Sequence, residues 1–328
     1  MAIRWVVALG IIILIGIGTW GGRHIYQFYQ PNPDGHLHSD YITIEKNTTL
    51  NQVCQQLFQK GVIKQPKLLS FWLRILGMDK IQAGVYQFVG KNAVIQFMDD
   101  LNKGRVVQLP FVIIAGKTWS SIQTHLLSMP WLKHDLSSEV IEEISPSNTL
   151  DGLLLADTYY FTAGSKASDL IFRANQHLKT VLNKSWQSRD EGLPYKTPYE
   201  MLIAASIIEK ETAIDDERPI ISQVIVNRLQ NHMRLQMDPT VIYALGTDYQ
   251  GVLSKDDLQV KSPYNTYRYS GLPPTPIAMV SQASIEAAAH PRTGNYLYFV
   301  ASGDGHHFFS SNYQQHRQAV DRYIQGKS

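Results

Sequence analysis

At 328 residues the chain is long enough for about two domains, each with ample core. A net charge of +2, with 18% charged residues, leaves no electrostatic case for nucleic-acid binding. The single cysteine, Cys54, excludes an internal disulfide and lies too deep in the chain for a lipoprotein attachment site.

Taken in order, the chain opens on an apolar run from Trp5 to Trp20, with Arg4 in front of it. Roughly 16 residues at ~1.5 Å rise span ~24 Å, which crosses a ~30 Å hydrocarbon core once flanking residues are added. No Ala-x-Ala cleavage site follows, so an uncleaved single-pass anchor is expected in place of a signal peptide. Arg4 and the α-amine outweigh Arg23, which puts the N-terminus in the cytoplasm and everything after residue 24 outside it. Residues 1–24 then form a cytoplasmic tip and an inner-membrane anchor. Glycines, prolines and histidines make residues 25–38 a linker.

Tyr41 to Ile44 alternates like a short strand. Thr49 to Gln52 has the form of a capping box, opening a helix that Gly61 ends. Pro66 starts another helix, which carries Leu69, Phe71, Trp72, Ile75 and Leu76 and stops at Gly77. Ala83 to Phe88 is a return strand, and Ala93 to Leu101 a third helix closed by Lys103-Gly104. Strand, helix, helix, strand resembles the LysM type of glycan-binding module, here over residues 39–105. The same pattern fits a plain α+β spacer.

Val106 to Ile114 is strand-like, and Thr118 is placed to cap a helix from Trp119 to Leu127. Pro130 to Asn148 is polar and poorly patterned. Leu153 to Phe161 reads as a buried strand interrupted by Asp157, and a helix follows from about Ser168 to Trp186.

The rest of the chain is organised around the stretch from Thr197 to Thr212. Thr197-Pro198-Tyr199-Glu200 is a capping box with proline at the first helical position. Met201 to Ile208 is apolar nearly all round, so this helix belongs inside a domain. It ends by delivering Glu209 and Glu211, which at a spacing of two point to nearly opposite sides and cannot act as a dyad. Glu211 follows Ala204, Ile207 and Ile208 on an apolar stripe. Desolvation there would raise its pKa, which a general acid working near neutrality needs. Glu209 shares a side with Ser206, Ala205 and Leu202. The structural alternative is two solvated carboxylates, or partners for Arg218.

Asp215 to Pro219 restarts a helix with the stripe Ile220, Ile221, Val224, Ile225 and Leu229. Asp238 is placed to cap a short helix from Pro239 that Gly246 ends, and Ser254 to Asp257 opens one more turn. Ser281 caps a helix through His290. Tyr296 to Ala301 is a strand, Gly303 to Gly305 a turn and Asn312 to Ile324 a closing helix. Tyr264 to Tyr267 and Gly271 to Ile277 are aromatic, amide-bearing and rigid. Such a mixture suits stacking on pyranose rings and reading their substituents.

Five blocks now stand in order at compatible spacings: Glu209-Lys-Glu-Thr212, Arg234-Leu-Gln236 with Asp238-Pro-Thr240, Tyr264-Asn-Thr-Tyr267, Gly271-Leu-Pro-Pro274 and Ala287-Ala-Ala-His-Pro291. Together they resemble the endolytic murein transglycosylase (YceG-like) family, most strongly from Tyr199 to Arg317. Ala156 stands before Asp157 where the family usually has proline, and Thr275 follows the Pro-Pro pair where glycine is common. Both departures bear on loop shape and neither touches the carboxylate.

The resemblance implies cleavage of the MurNAc–GlcNAc bond inside peptidoglycan glycan strands, without water. One carboxylic acid protonates the glycosidic oxygen. It then acts as base while the muramyl 6-hydroxyl closes on the anomeric carbon, leaving a 1,6-anhydro end. The resemblance assigns that role to Glu211 and implies peptidoglycan synthases as partners. Because an internal hydroxyl replaces the activated water, one carboxylate suffices where ordinary glycosidases use two. Gln236, Tyr264, Asn265 and Tyr267 are the candidate sugar contacts. Arg234 is a candidate anchor for a substrate carboxylate or a partner for an acid within the fold. Asp238, with helix capping as its other role, and Glu209 complete the candidate substrate set.

His290, His306, His307 and His316 lie in the C-terminal third, yet no HExxH pair occurs. His306 and His307, as neighbours on a strand, are expected to point to opposite faces and not to share one ion. No glycine-rich phosphate loop and no Gly-x-Ser-x-Gly elbow is present, so neither a metal, a cofactor nor a serine nucleophile is expected. The expected architecture is α+β: an N-terminal transmembrane helix, a small LysM-like module and a catalytic transglycosylase domain over residues 106–328. Two rivals remain. One is a membrane-tethered, non-catalytic glycan-binding scaffold in which Glu211 serves only structure. The other is a muramidase-type hydrolase with Asp238 or Asp157 as its second carboxylate.

Overall fold

The computed structural model describes residues 41–88, 93–145 and 149–323. The anchor and linker expected over residues 1–38 lie outside the described residues. Among those described, no helix is long and apolar enough to cross a membrane. The fold is α+β and divides into two compact units. One runs up to Leu109 and includes Phe161–Gly164; the other holds Pro110–Tyr160 and the chain from Ser165 onward.

In the first unit, β1 (Tyr41–Ile44), α1 (Leu50–Gln59), α2 (Pro66–Ile75) and β2 (Gly84–Gln87) are followed by α3 (Ala93–Lys103). The two strands pair antiparallel, with Ile42 opposite Tyr86. The α1 capping box is complete: Thr49 Oγ1 accepts from the Gln52 amide while Gln52 Oε1 accepts from the Thr49 amide at 2.8 Å. Gly61 and Gly77 take the left-handed conformation, φ 72° and 68°, that ends each helix without a Cβ penalty. Leu57, Leu73, Tyr86, Phe97 and Leu101 share one core with Cys54. Burial pushes that thiol up to about 11, so it is inert at neutral pH.

The second unit contains helices α4 (Trp119–Ser128), α5 (Ser138–Ile144), α6 (Ala167–Ser188), α7 (Pro198–Glu211), α8 (Arg218–Gln230), α9 (Asp238–Leu245), α10 (Gln282–Ala289) and α11 (Tyr313–Tyr323). Leu109–Val112 (β3) pairs with Thr158–Phe161 (β4), and Tyr298–Ala301 (β5) with His307–Ser310 (β6) as a hairpin. The axis of this unit is α7, buried at every position from Met201 to Ile208. It packs most extensively against α10 and also touches α6, α8 and α9. Ala204 and Ala205 of α7 and Ala287 to Ala289 of α10 all lie in this core, and small side chains let helix axes approach closely.

Several local expectations change in three dimensions. Thr197 Oγ1 does accept the Glu200 amide at 3.2 Å, but the Glu200 carboxylate turns to the Lys196 amide, so only half of that capping box forms. Thr118 sits at the N-cap of α4 without a capping bond from its side chain; Asp151, 32 residues on, accepts the Trp119 amide instead. The polar stretch after Pro130 folds in part into α5. Val106 to Ile114 is strand only over β3, and Leu153 to Asp157 is loop, buried at Leu154 and Leu155: Leu155 makes an isolated bridge to Val280, and the Asn175 amide holds the Leu153 carbonyl. A short apolar run does not distinguish a strand from a loop whose backbone groups are satisfied by distant partners.

Candidate active site

Helix α7 ends at Glu211, which opens onto a cleft of about 520 Å3. Ligand sites for small molecules occupy this size range. The walls are Arg228 from α8, Gln236 and Asp238 at the start of α9, Tyr267, Tyr298 from β5, His307 from β6, and Tyr313 and His316 from α11. Glu211 is half-buried, with its open side toward the cleft. Burial is the main cause that pushes its carboxyl up to about 8; the nearby Asp238 charge adds to this and Arg228 works against it. Its position at the C-terminal end of α7, the negative pole of the helix, disfavours the anion further. Among the described residues nothing donates a hydrogen bond to this carboxyl. At neutral pH Glu211 is therefore a protonated acid facing an open cleft.

The other predicted residues divide into two groups. Gln236, Tyr267 and Asp238 line the cleft with Glu211. Gln236 holds a left-handed backbone, φ 51°, fixed by its amide donating to the Thr266 carbonyl at 3.1 Å. Non-glycine residues adopt this conformation only where the surroundings enforce it, and here it exposes a side chain with no partner among the described residues. Tyr267 donates its phenol proton to Asp238, and burial, then Asp238, hold that phenol well above its usual range. Asp238 does not cap α9: it is the first helical residue, Met237 holds the cap position, and its carboxylate is engaged by Tyr267.

Tyr264, Asn265, Arg234 and Glu209 lie outside the cleft lining, and their polar atoms are used within the fold. Asn265 is fully buried, donates to the Leu258 and Val260 carbonyls and accepts the Tyr267 amide at 2.9 Å. Tyr264 shares a hydrogen bond with Thr275 at 2.8 Å and packs its ring 4.8 Å from that of Tyr243. Arg234 donates to the Tyr267 carbonyl at 3.1 Å. Glu209 accepts both the amide and the hydroxyl of Ser281, fixing the start of α10, and pairs with buried Arg218 at 3.9 Å. Asp157 accepts the Thr158 amide and faces His177, also away from the cleft.

Arg228, Tyr298, His307, His316 and Glu217 were not singled out as candidate site residues by sequence pattern. Arg228 is buried and donates to the Leu297, Arg234 and Leu235 carbonyls, with its guanidinium 5.2 Å from the Tyr298 ring centroid. It follows Ile221, Val224 and Ile225 at seven, four and three residues, the same apolar-stripe position that marks Glu211. The Tyr298 ring also stacks on His316, with centroids 5.1 Å apart. Glu217 sits in an acidic run that looks like a solvated helix start, yet it is only 6% exposed. His306 and His307 both reach that single carboxylate, with Nδ1 at 3.3 and 2.7 Å. The opposite-face expectation fails because β6 begins only at His307, and His306 still belongs to the turn.

A chain of Bacillus subtilis (strain 168) described as an endolytic murein transglycosylase is 30% identical over 314 residues, covering 88% of this chain and 85% of that one. An endolytic murein transglycosylase of Streptococcus pneumoniae serotype 2 (strain D39) is 23% identical over 363 residues, covering 97% of this chain and 65% of that relative's length. The crystal structure of a YceG-like protein of Listeria monocytogenes superposes with a TM-score of 0.55 at 28% identity, covering 85% of this chain and 98% of that one. The YceG-like family model matches residues 42–322, a span that includes every residue of the cleft, and the chain belongs to that family.

Proposed function

We propose that this chain is a peptidoglycan lytic transglycosylase that cuts glycan strands internally between MurNAc and GlcNAc. The observation that carries the proposal is Glu211: a desolvated carboxyl, pushed up to about 8, without a hydrogen-bond partner among the described residues and facing a cleft of about 520 Å3. The names of similar proteins from Bacillus and Streptococcus support the same chemistry. Glu211 gives its proton to the glycosidic oxygen as the bond from C1 to that oxygen breaks. The carboxylate so formed takes the proton of the muramyl 6-hydroxyl as O6 bonds to C1. The products are a 1,6-anhydro end and a new 4-hydroxyl, and Glu211 is an acid again. Asp238, the other carboxylate lining the cleft, is tied to Tyr267, so among the described residues the site offers one free carboxyl. That arrangement suits internal attack better than a two-carboxylate hydrolysis.

Mass spectrometry of digested murein tests this. Anhydromuramyl ends are expected from the native chain and not from Glu211→Gln. Equal product from both would leave a non-catalytic scaffold as the better account. Digestion in oxygen-18 water is expected to put no label at the new ends, and labelled reducing ends would make the enzyme a hydrolase.

The same proposal places the chain on the cytoplasmic membrane through Trp5 to Trp20, N-terminus inside, trimming or terminating new strands beside peptidoglycan synthases. Its module at residues 39–105 is read as LysM-like, a reading supported by the β1-α1-α2-β2 order and antiparallel pairing of the first unit. Thiol labelling of single cysteines introduced before Arg4 and after Arg23 in intact cells would check the orientation.

A further inference from the structure

Beside the cleft, and reaching it through His307, one cluster has no part in the chemistry above. The Glu217 carboxylate is 6% exposed and takes four donors: the Thr212 hydroxyl at 3.2 Å, the His307 amide at 2.9 Å, and the imidazoles of His307 and His306. Thr212 directly follows Glu211, so this carboxylate also anchors the end of α7. Burial alone would raise the Glu217 carboxyl. The His307 side chain and backbone, with Thr212, more than offset that and hold it below the usual range. An ionised carboxylate only accepts, so the His307 Nδ1 facing it at 2.7 Å must carry a proton. In the neutral ring Nε2 is then a bare acceptor. The ring is wedged against Phe299 and Phe309, its side chain is 14% exposed, and it lines the cleft with Glu211. Among the described residues Nε2 has no hydrogen-bond partner.

We propose that His307 is a substrate-contacting residue, whose tautomer Glu217 sets and whose Nε2 accepts a hydrogen bond from a hydroxyl or amide N–H of the amino sugar seated beside Glu211. This rests on the transglycosylase proposal. A carboxylate-held imidazole is a pre-oriented acceptor: the ring cannot flip without stripping Glu217 of its closest donor.

The test compares two amides in the purified full chain acting on isolated murein. His307→Asn places its amide where Nδ1 was, keeping a donor for Glu217 and leaving the cleft side empty. His307→Gln carries an amide oxygen out to the reach of Nε2. His307→Asn is expected to lose about tenfold or more in kcat/KM with a thermal melt near the native one, and His307→Gln to stay within about threefold of native. Glu217→Gln, which can donate to Nδ1 and turn Nε2 into a donor, is expected to fall with His307→Asn. Native kcat/KM in His307→Asn, or an equal loss in His307→Gln, would overturn the inference. Glu211→Gln run alongside separates the failures. Loss of anhydro ends there with a normal His307→Asn removes only His307, whereas anhydro ends persisting in Glu211→Gln remove the transglycosylase proposal and this inference with it.

Discussion

Replacing Glu211 by glutamine should change stability in a way that depends on pH, and the size of the change follows from the environment of the carboxyl. Burial and the Asp238 charge push it from 4.5 up to about 8. Below pH 4.5 the group is protonated folded and unfolded alike, and its contribution is fully present. Between 4.5 and 8 only the folded chain keeps the proton, so stability falls as pH rises, and above 8 the whole cost of a desolvated anion is felt. At ~1.4 kcal/mol per pH unit the full loss is about 4–5 kcal/mol. Water on the cleft side screens part of it, leaving about 3 kcal/mol to be measured. The glutamine variant carries no such titration. Its thermal transition should match the native one near pH 4.5 and lie higher by about 10 °C at pH 9, at a few degrees per kcal/mol for a unit of this size. Paired melts at the two pH values give the answer. An identical offset between native and variant at both would mean that the Glu211 carboxyl is well solvated, and the argument for a neutral-pH acid would fall.

Native activity should show an alkaline limb near pH 8, where Glu211 loses its proton, and Asp238→Asn should move that limb down by up to about one pH unit because a like charge is removed. A pH profile of kcat/KM decides, and an upward move would contradict the assigned sign. Glu209→Ala strips Ser281 of its acceptor and leaves buried Arg218 with exposed Asp215 as its one acidic partner among the described residues. It should cost about 3–5 kcal/mol in urea unfolding, with kcat/KM unchanged in the folded fraction, whereas a catalytic loss at native stability would place Glu209 on substrate. Gly152→Ala should destabilise by about 2 kcal/mol or more. The position has φ 68°, and a new Cβ would lie 2.2 Å from Pro276 Cβ and 3.0 Å from the Ala278 carbonyl. A native melting temperature for this variant would show that the Pro276 loop gives way freely.

Local signals along the chain were informative wherever the physics is local. The Thr49 capping box, the glycine stops at 61 and 77 and the buried, mostly apolar rod from Met201 to Ile208 each depend on neighbours within a few residues, and each is found as written. The apolar stripe below Glu211 is of this kind too, because three- and four-residue spacing settles what lies beneath a helical side chain. Tyr264 and Asn265 show the limit. An amide-rich aromatic block suits sugar recognition, but it suits turn-holding equally, and Asn265 has both amide protons and its side-chain oxygen engaged by Leu258, Val260 and Tyr267. Asp238 beside Tyr267, and Glu209 beside Ser281, are pairs 29 and 72 residues apart.

Residue order along the chain is therefore enough to specify the central helix, the glutamate at its end and the α+β character of the chain. Which polar side chains stay free to meet a ligand emerges from packing in three dimensions. Whether a carboxylate, amide or imidazole is free depends on donors and acceptors brought from distant segments, as Glu217 and His307 are across 90 residues. No period or spacing along the chain encodes that pairing, because burial and hydrogen-bond partners are properties of the packed unit.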